Sequence, residues 1–413
     1  MPRNFILSIN AGSSSLKITL FKPSLDDPTI PVRIASANVT GLTAPPAQLK
    51  YTRAGSKPEN GEAHVSSHDE AFEHILELFE KDEELKDFSS KDEVEYTCHR
   101  VVHGGDFGKD VLITPDTLHR LEAVEELAPL HNGAAIAIIK TCVAQLPHVK
   151  NVGCFDSAFH ATLPLATRTY AIDQDIATKK GLRKYGFHGT SYSYILRVTS
   201  KYLNKSPDQT SLIALHLGSG ASMCAIKNGK SVDTTMGLTP VSGLPGGTRS
   251  GDIDPSLIFH YTSDVASLSR ESTRELHITT AEDILNKQSG WKALAGTTNF
   301  AEIAKPDASA GAKLALDIFV DRILGYFGSY FVKVGGKVDA VVFAGGIGEK
   351  SDLLRKRVID AVGFLGLAVD EDKNKKPADE TVADISGNSS GPKTLVVQTD
   401  EEVRQILSTK CPS

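Results

Sequence analysis

An apolar strand followed by a tight Gly/Ser turn and a second apolar strand occurs twice in this 413-residue chain. The first copy starts at Phe5 and the second at Leu212, and Gly218 in the second turn lies 206 positions after Gly12 in the first, half the length of the chain. Such turns lack bulky side chains, so their backbone N–H groups can approach an anion closely. One copy would be an ordinary hairpin. Two copies at this spacing predict two related domains, each with a hairpin suited to phosphate.

Length and composition exclude several classes of protein. A length of 413 residues predicts two large domains, and 40% apolar with 23% charged residues is typical of a globular protein. The net charge of −6, without a long Lys/Arg cluster, argues against a nucleic-acid partner, and no apolar stretch is long enough to span a membrane. The five cysteines are scattered, which favours neither a disulfide framework nor a zinc site. With no signal-peptide pattern at the start, we expect a cytoplasmic location.

Strand-like and helix-like patterns alternate along the chain, which predicts an α/β protein. The segment 22–66, rich in Pro, Gly and polar residues, is expected to be the loosest part. A helix should follow, because Ser67 and Glu70 form a capping box ahead of apolar residues at helical spacing. We further predict helices over 117–127, 133–146 and 311–333, strands over 94–98, 151–155, 338–344 and 394–398, and a surface loop over 372–392.

Several side chains have the chemistry of a ligand site. Asp156 directly follows a buried strand, at the end where α/β sheets usually bind ligands. Gly345–Gly348 is a glycine-rich segment after another strand and is either a phosphate-binding turn or a plain strand–helix connection. Because no Walker motif is present, phosphate binding must rest on this segment and on the hairpins. Arg100 and Arg249 lie near glycines, and their planar guanidinium groups suit carboxylate or phosphate; a surface ion pair is the alternative for each. His188 is flanked by glycines and therefore accessible, with a structural role as its alternative.

Together these segments resemble the acetate kinase family, within the superfamily that contains acetate and sugar kinases, Hsp70 and actin. The resemblance covers nearly the whole chain in order, and Asn10–Lys17 and Gly247–Pro255 are its most specific pieces. The other pieces are His99–Gly105, Ala128–Asn132, Phe155–His160, Tyr185–Ser191, His216–Gly220, Ser231–Gly237 and Gly346–Glu349.

The resemblance implies a duplicated two-domain α/β fold of the ribonuclease-H-like (actin/Hsp70) type, with a ligand cleft between the domains. The first domain would cover 1–157 and 403–413, and the second, nucleotide-binding domain 158–402. Catalysis would fall to Asp156, His188, Arg249 and Arg100. Mg²⁺, for which Mn²⁺ could substitute, would be held by Asn10, Glu401 and Asp156. Acetate would meet Arg100 and a methyl pocket of Val102, Leu130, Phe187 and Pro240. The nucleotide would meet Lys17, His216, Leu217, Gly218, Ser219, Gly220, Asn299, Phe300, Ala301, Gly346, Ile347, Gly348, Glu349 and Lys350.

The resemblance also implies a reaction: ATP and acetate would give ADP and acetyl phosphate, reversibly, in a homodimeric enzyme. A carboxylate is a competent nucleophile, so direct in-line transfer needs positioning and charge neutralisation rather than a general base. The alternatives are a propionate or butyrate kinase, a pyrophosphate-dependent acetate kinase, and an actin-like or Hsp70-like ATPase. The chain departs from the family pattern at Tyr192, Gly133, Ser219, Lys350 and Ala301, the last of these where the family commonly has an arginine. These departures leave nucleoside selectivity open.

Overall fold

The computed structural model describes residues 4–24, 31–44, 46–125, 129–270, 272, 278–388 and 390–407, without the side chains of 129–131, 404, 405 and 407. The chain divides into two units, one formed by Met1–Ala158 and Asp400–Ser413 and the other by Phe159–Thr399. No helix in the described ranges has the length and apolar character needed to cross a membrane. The predicted limits at 157/158 and 402/403, as boundaries of separately folding domains, stay a prediction.

The first unit is built on a sheet with the strand order β5-β4-β3-β2-β1-β6-β8-β7 in the described residues. Strands β1 to β5 pair antiparallel in sequence order, whereas β6 is parallel to both β1 and β8. Their bounds are β1 Phe5–Gly12, β2 Ser15–Pro23, β3 Pro31–Thr40, β4 Ala47–Arg53, β5 Glu59–Ala63, β6 Val94–Val101, β7 Val111–Leu112 and β8 Lys150–Phe155.

The prediction that 22–66 is the loosest part of the chain is wrong, because β3, β4 and β5 all lie within it. Ala35, Ala37 and Val39 are fully buried while the residues between them are more accessible, which is the two-residue period of a half-buried strand. The alternation was not recognised in the sequence because it is formed by small apolar residues in a segment rich in proline and glycine.

Four α-helices and a short 3-10 helix over Lys91–Glu93 complete the first unit in its described part: α1 His68–Lys81, α2 Pro115–Glu125, α3 Pro129–Gln145 and α15 Glu401–Leu407. Ser67 is confirmed as the N-cap of α1, since its side chain accepts a hydrogen bond from Glu70 N. The predicted capping box is not completed, because the Glu70 carboxylate accepts from Ser66 N at 2.7 Å. Residues 126 and 127 of the predicted second helix lie outside the described residues, and the third begins at Pro129 rather than 133. Helices α1 and α3 pack on one face of the sheet, with Leu7 and Ile9, whereas the α15 residue Ile406 packs with Ile6, whose side chain points to the other face.

The second unit repeats the central strand order of the first. Its described sheet runs β11-β10-β9-β12-β14-β13, with β9, β10 and β11 antiparallel in sequence order and β12 parallel to β9 and β14. The series β11-β10-β9-β12-β14 therefore corresponds to β3-β2-β1-β6-β8, and the predicted duplicated α/β architecture is confirmed. The bounds are β9 Leu212–Leu217, β10 Ala221–Lys227, β11 Lys230–Thr234, β12 Ala340–Ala344, β13 Val382–Asp384 and β14 Lys393–Val397.

The helices of the second unit include the predicted long one, α11, over Ala310–Lys333. Gly345 begins a short helix directly after β12, so of the two interpretations of this segment the strand–helix connection is confirmed. The predicted surface loop over 372–392 is wrong, because it contains most of the helix α14 (Glu371–Lys375) together with β13. The other described helices are α4 Leu165–Arg168, α5 Gln174–Lys180, α6 Gly189–Tyr202, α7 Leu257–Tyr261, α8 Thr280–Lys287, α9 Gly290–Ala295, α10 Phe300–Ile303, α12 Gly345–Lys350, α13 Asp352–Ala361 and α14 Glu371–Lys375.

Candidate active site

In the first unit, predicted site residues meet at the carboxyl ends of neighbouring parallel strands. Asn10 lies near the end of β1, Arg100 near the end of β6, and Asp156 directly after β8. Strands β1 and β8 both flank β6 in parallel register. Glu401 is the first residue of α15, which packs on β1 and β6. The fold thus explains why residues from four distant parts of the chain come to one edge of the sheet.

Arg100 joins two carboxylates of this edge. Its Nη2 lies 2.7 Å from Asp156 Oδ2, its Nε lies 3.2 Å from both carboxylate oxygens, and its Nη1 lies 3.5 Å from Glu401 Oε2. Burial of the guanidinium lowers its pKa, but the negative charges of Asp156 and Glu401 outweigh this and keep the pKa of Arg100 above its usual value. Asp156 is 1% exposed and Arg100 has 28% of its side chain exposed, so this ion pair is largely buried.

The oxygen atoms at this edge fit a magnesium ion by their chemistry. Mg²⁺ prefers hard oxygen ligands and needs only one or two carboxylates, with phosphate and water completing its shell. Asp156 and Glu401 supply two carboxylates that already face one cation, and Asn10 adds an amide oxygen. In the described residues no three His, Cys, Asp or Glu side chains lie together as a group that could hold a metal ion.

Lys17 is brought to the neighbouring acidic residue. Its Nζ lies 2.6 Å from Glu402 Oε1, and Arg33 Nη2 lies 2.9 Å from Glu402 Oε2. Because Lys17 is paired with Glu402, it would have to leave that carboxylate to make its predicted contact with phosphate. Its side chain is 41% exposed, which leaves it room to move. Val102 follows β6 and is half-buried, whereas the side chain of Leu130, in α3, lies outside the described residues.

His99 precedes Arg100 on β6 and is completely buried. Its Nε2 contacts Thr97 Oγ1 and Asn151 Oδ1 at 3.0 and 2.9 Å, and its Nδ1 has no hydrogen-bond partner in the described structure. Burial lowers the pKa of His99 to about 4, although the hydrogen bond with Asn151 opposes this. The imidazole is therefore neutral in the folded protein near neutral pH.

The buried His99 should make folding stability depend on pH. The unfolded chain takes up a proton near pH 6.5, while the folded protein resists it until about pH 4, so stability is lost as pH falls through this window. We expect the protonation of His99 in the unfolded chain to lower the free energy of unfolding by about 2 kcal/mol between pH 7 and pH 5. Urea unfolding of wild type and His99→Gln at several pH values measures it. His119→Gln, at an exposed histidine, is the control. Parallel pH profiles for wild type and His99→Gln would contradict the prediction.

In the second unit, His188 sits in a constrained segment ahead of α6. Gly186 and His188 have φ values of 79° and 59°, and for a non-glycine residue this left-handed conformation is a source of strain that often marks functional positions. A Cβ atom at Gly186 would lie 2.5 Å from Thr234 Cγ2, so only glycine fits there. His160 also holds this segment in place, because its Nε2 lies 2.9 Å from the carbonyl oxygen of Phe187. Both His160 and Phe187 are buried.

Polar partners surround His188 at the second hairpin. Its Nδ1 lies 2.8 Å from Ser222 Oγ, and its ring centroid lies 4.3 Å from that of His216. His216 Nδ1 is in turn 2.7 Å from Ser191 Oγ. Sequence reasoning singled out the two histidines but missed Ser191 and Ser222, because nothing in the spacing of these serines marks them as partners.

Arg249 lies across the turn of the same hairpin. A Cβ atom at Gly220 would lie 2.1 Å from Arg249 Nη2, so the guanidinium occupies the space that any larger residue would fill. Arg249 Nη1 donates a long hydrogen bond of 3.4 Å to the carbonyl of Pro240, which is buried, and Gly247 N donates to Ser219 O at 2.8 Å. The loop that carries Arg249 is thereby attached to the hairpin turn.

A pocket of about 530 Å³ in the second unit brings together many of the predicted nucleotide contacts. Leu217 and Gly348 are instead buried and do not line it. The Glu349 carboxylate accepts a 3.3 Å hydrogen bond from Thr399 N. Of the predicted set, the pocket is lined by Ser219, Asn299, Phe300, Ala301, Gly346, Ile347 and Lys350; Thr298, Ala304, Ser351, Asp352 and Leu353 also line it.

Arg355 supports this pocket and was not foreseen from the sequence. It is 1% exposed, and its Nη1 donates to the carbonyl oxygens of Gly348 and Glu349, each at 2.8 Å. Its Nε donates to Asn374 Oδ1 at 2.7 Å, which ties α14 to the end of α12. Burial lowers the pKa of Arg355 to about 10, so it stays charged near neutral pH. A buried arginine within a polar-looking helix gives no sequence signal.

The model of the acetokinase family matches residues 5–406, nearly the whole chain. The chain belongs to the acetokinase family. Among curated members, it is 56% identical to a probable acetate kinase of Emericella nidulans over 409 residues, which cover 97% of this chain and 96% of the relative. It is 38% identical to an acetate kinase of Clostridium novyi, with coverage of 98% and 97%. This acetokinase is therefore a phosphoryl-transferring enzyme.

Solved structures of acetokinase-family members agree. An acetate kinase of Porphyromonas gingivalis aligns over 99% of both chains with a TM-score of 0.85 at 34% identity. A propionate kinase of Francisella tularensis has the same TM-score and identity, over 98% of both chains. An acetate kinase of Entamoeba histolytica gives a TM-score of 0.81 at 28% identity, again over 98% of both chains. Fold likeness alone thus does not separate acetate from propionate as the substrate.

Proposed function

We propose that this acetokinase is an ATP:acetate phosphotransferase, which transfers a phosphoryl group reversibly between ATP and acetate. The observation that carries the proposal is the position of the Arg249 guanidinium across Gly220, on the hairpin turn next to the pocket that gathers the nucleotide residues. A cation fixed on such a turn neutralises charge on a transferring phosphoryl group.

In the proposed reaction, the acetate carboxylate attacks the γ-phosphorus in line, and ADP leaves. Arg100 orients the carboxylate, while Arg249 and His188 stabilise the charge on the transferring group. Asp156, Glu401 and Asn10 would hold Mg²⁺, which when bound supplies further charge neutralisation at the phosphates. Val102, Leu130, Phe187 and Pro240 would enclose the methyl group. We also propose that the enzyme works as a cytoplasmic homodimer, which light scattering would test for the oligomeric state.

Acetyl hydroxamate formation tests the proposal directly. Acetyl phosphate reacts with hydroxylamine, so the purified protein with ATP, Mg²⁺ and acetate should give a colour with ferric iron that needs all three reactants. An actin-like or Hsp70-like ATPase would release phosphate from ATP without acetate and give no hydroxamate. That result would refute the proposal.

Propionate is the second candidate substrate, because the propionate kinase of Francisella tularensis is as similar in structure as the acetate kinase of Porphyromonas gingivalis. One methylene changes binding in an apolar pocket by about 1–3 kcal/mol, so some activity on propionate is expected. Comparing kcat/KM for acetate, propionate and butyrate decides between them. A higher value for propionate would reassign the acceptor.

The phosphoryl donor should be ATP with a relaxed preference for the base. The pocket is bordered by Gly346, which leaves space for a base, while Ala301 replaces a common arginine and removes a polar contact. We therefore expect GTP to support the reaction within about a hundredfold of ATP, since one lost polar contact is worth about 1–3 kcal/mol. Rates with ATP, GTP and pyrophosphate at fixed acetate measure this. Pyrophosphate outperforming ATP would overturn the donor assignment, and a stricter ATP preference would overturn the relaxed selectivity.

A further inference from the structure

Tyr192 stands on α6 at a position where the family usually has histidine, and it reaches His188 through one serine. The Tyr192 hydroxyl contacts Ser222 Oγ, and Ser222 Oγ lies 2.8 Å from His188 Nδ1. Tyr192 and Ser222 are both completely buried. Three side chains therefore form one hydrogen-bonded chain that ends on the candidate catalytic imidazole.

The direction of the first hydrogen bond follows from the surroundings of Tyr192. Burial raises the pKa of Tyr192 well above its usual value, so the phenol keeps its hydrogen. That hydrogen needs an acceptor, and the contact that the Tyr192 hydroxyl makes in the described structure is with Ser222 Oγ. Tyr192 thus donates to Ser222.

The second direction follows in the same way. The Ser222 hydroxyl has one hydrogen, and leaving it unsatisfied in a buried position costs about 1–3 kcal/mol. The Tyr192 hydroxyl cannot accept it without leaving its own hydrogen unsatisfied, so Ser222 donates to His188 Nδ1. A neutral imidazole that accepts at Nδ1 carries its hydrogen on Nε2.

We propose that Tyr192 is a positioning residue which, through Ser222, holds His188 as the neutral tautomer protonated at Nε2. Under the proposed function, His188 Nε2–H then donates to the transferring phosphoryl group. The tautomer itself does not depend on it. A histidine at position 192 would offer Ser222 a different set of donors and acceptors. The tyrosine at this position therefore gives this chain its own means of setting the tautomer of His188.

Nitrogen NMR of the full-length protein, labelled with ¹⁵N-histidine and without substrates, tests the tautomer. His188→Gln identifies the His188 signals. In wild type, Nε2 should show the shift of a protonated nitrogen and Nδ1 that of an unprotonated one. In Tyr192→Phe the Ser222 hydroxyl can either donate or accept, so His188 should become a mixture of tautomers. Tyr330→Phe is the matched control, since Tyr330 is equally buried and its hydroxyl has no hydrogen-bond partner among the described residues.

Kinetics separate positioning from a merely structural role. Tyr192→Phe should lower kcat about tenfold, because a mixture of tautomers leaves only a fraction of the molecules with the Nε2 donor, while KM for acetate and ATP should change less than about twofold. Added to His188→Ala it should cause no further loss, because the two changes act through one group. If Tyr192→Phe folds poorly, Ser222→Ala should produce the same mixture of tautomers.

Three results would overturn the inference: a wild-type His188 protonated at Nδ1, a tautomer unchanged in both variants, or a full additional loss in the double variant. Failure of the proposed function is distinguishable, because it would show as the absence of hydroxamate in wild type while the NMR result stands.

Discussion

Arg249→Ala should lower kcat by a factor of about 10²–10³ while KM for acetate and ATP changes only a few-fold. The guanidinium lies over Gly220 and contacts the carbonyl of Pro240, so it is positioned before substrate arrives. Preorganised donors to charge that develops in the transition state have effects of this size when removed. Steady-state kinetics with the hydroxamate assay provide the measurement, and Arg322→Ala, at an exposed arginine paired with its neighbour Asp321, is the control.

Gly220→Ala offers an independent route to the same defect. A Cβ atom there would lie 2.1 Å from Arg249 Nη2, and the end of a long side chain can move away at little cost to the fold. We expect an unchanged melting temperature with a loss of kcat that approaches that of Arg249→Ala. An Arg249→Ala variant with full turnover would remove this residue from the transition state.

Arg100→Ala should reduce kcat/KM for acetate by at least about 10²-fold, because the enzyme loses both the proposed carboxylate contact and the cation that balances Asp156 and Glu401. Leaving Asp156 buried without its partner should also lower the unfolding free energy by up to about 3 kcal/mol. The dissociation constant for ATP should change only a few-fold. Kinetics, ATP binding and urea unfolding separate these three effects.

Two further variants make the result at position 100 interpretable. Arg33→Ala is the matched control, since Arg33 also pairs with acidic residues, Asp400 and Glu402, at the start of α15 but has no proposed contact with acetate. Arg100→Lys keeps the charge and loses the fork of donors, so it should recover stability while kcat/KM for acetate stays low. Near-normal use of acetate by Arg100→Ala would contradict the assignment.

The family, the duplicated hairpins and the order of most elements could be predicted from the sequence, because these depend on local patterns. The apolar runs at Phe5 and Leu212, the cap at Ser67 and the placement of Asp156 after a buried strand all involve residues close together in the chain. The proline- and glycine-rich segment that becomes β3, β4 and β5 was missed, because those strands gain their stability from pairing with β2 and with each other rather than from a strong local signal.

By itself, the sequence determined which residue types are available and on which elements most of them lie. Only the tertiary structure decided which side chains meet: Arg100 with Asp156 and Glu401, Arg249 with Gly220, and Tyr192 with Ser222 and His188. The physical reason is that hydrophobic periodicity specifies which face of an element is buried, whereas a pairing between distant residues depends on strand order and register. A single guanidinium or hydroxyl then selects its partner by distances of about 3 Å, a scale that no local pattern encodes.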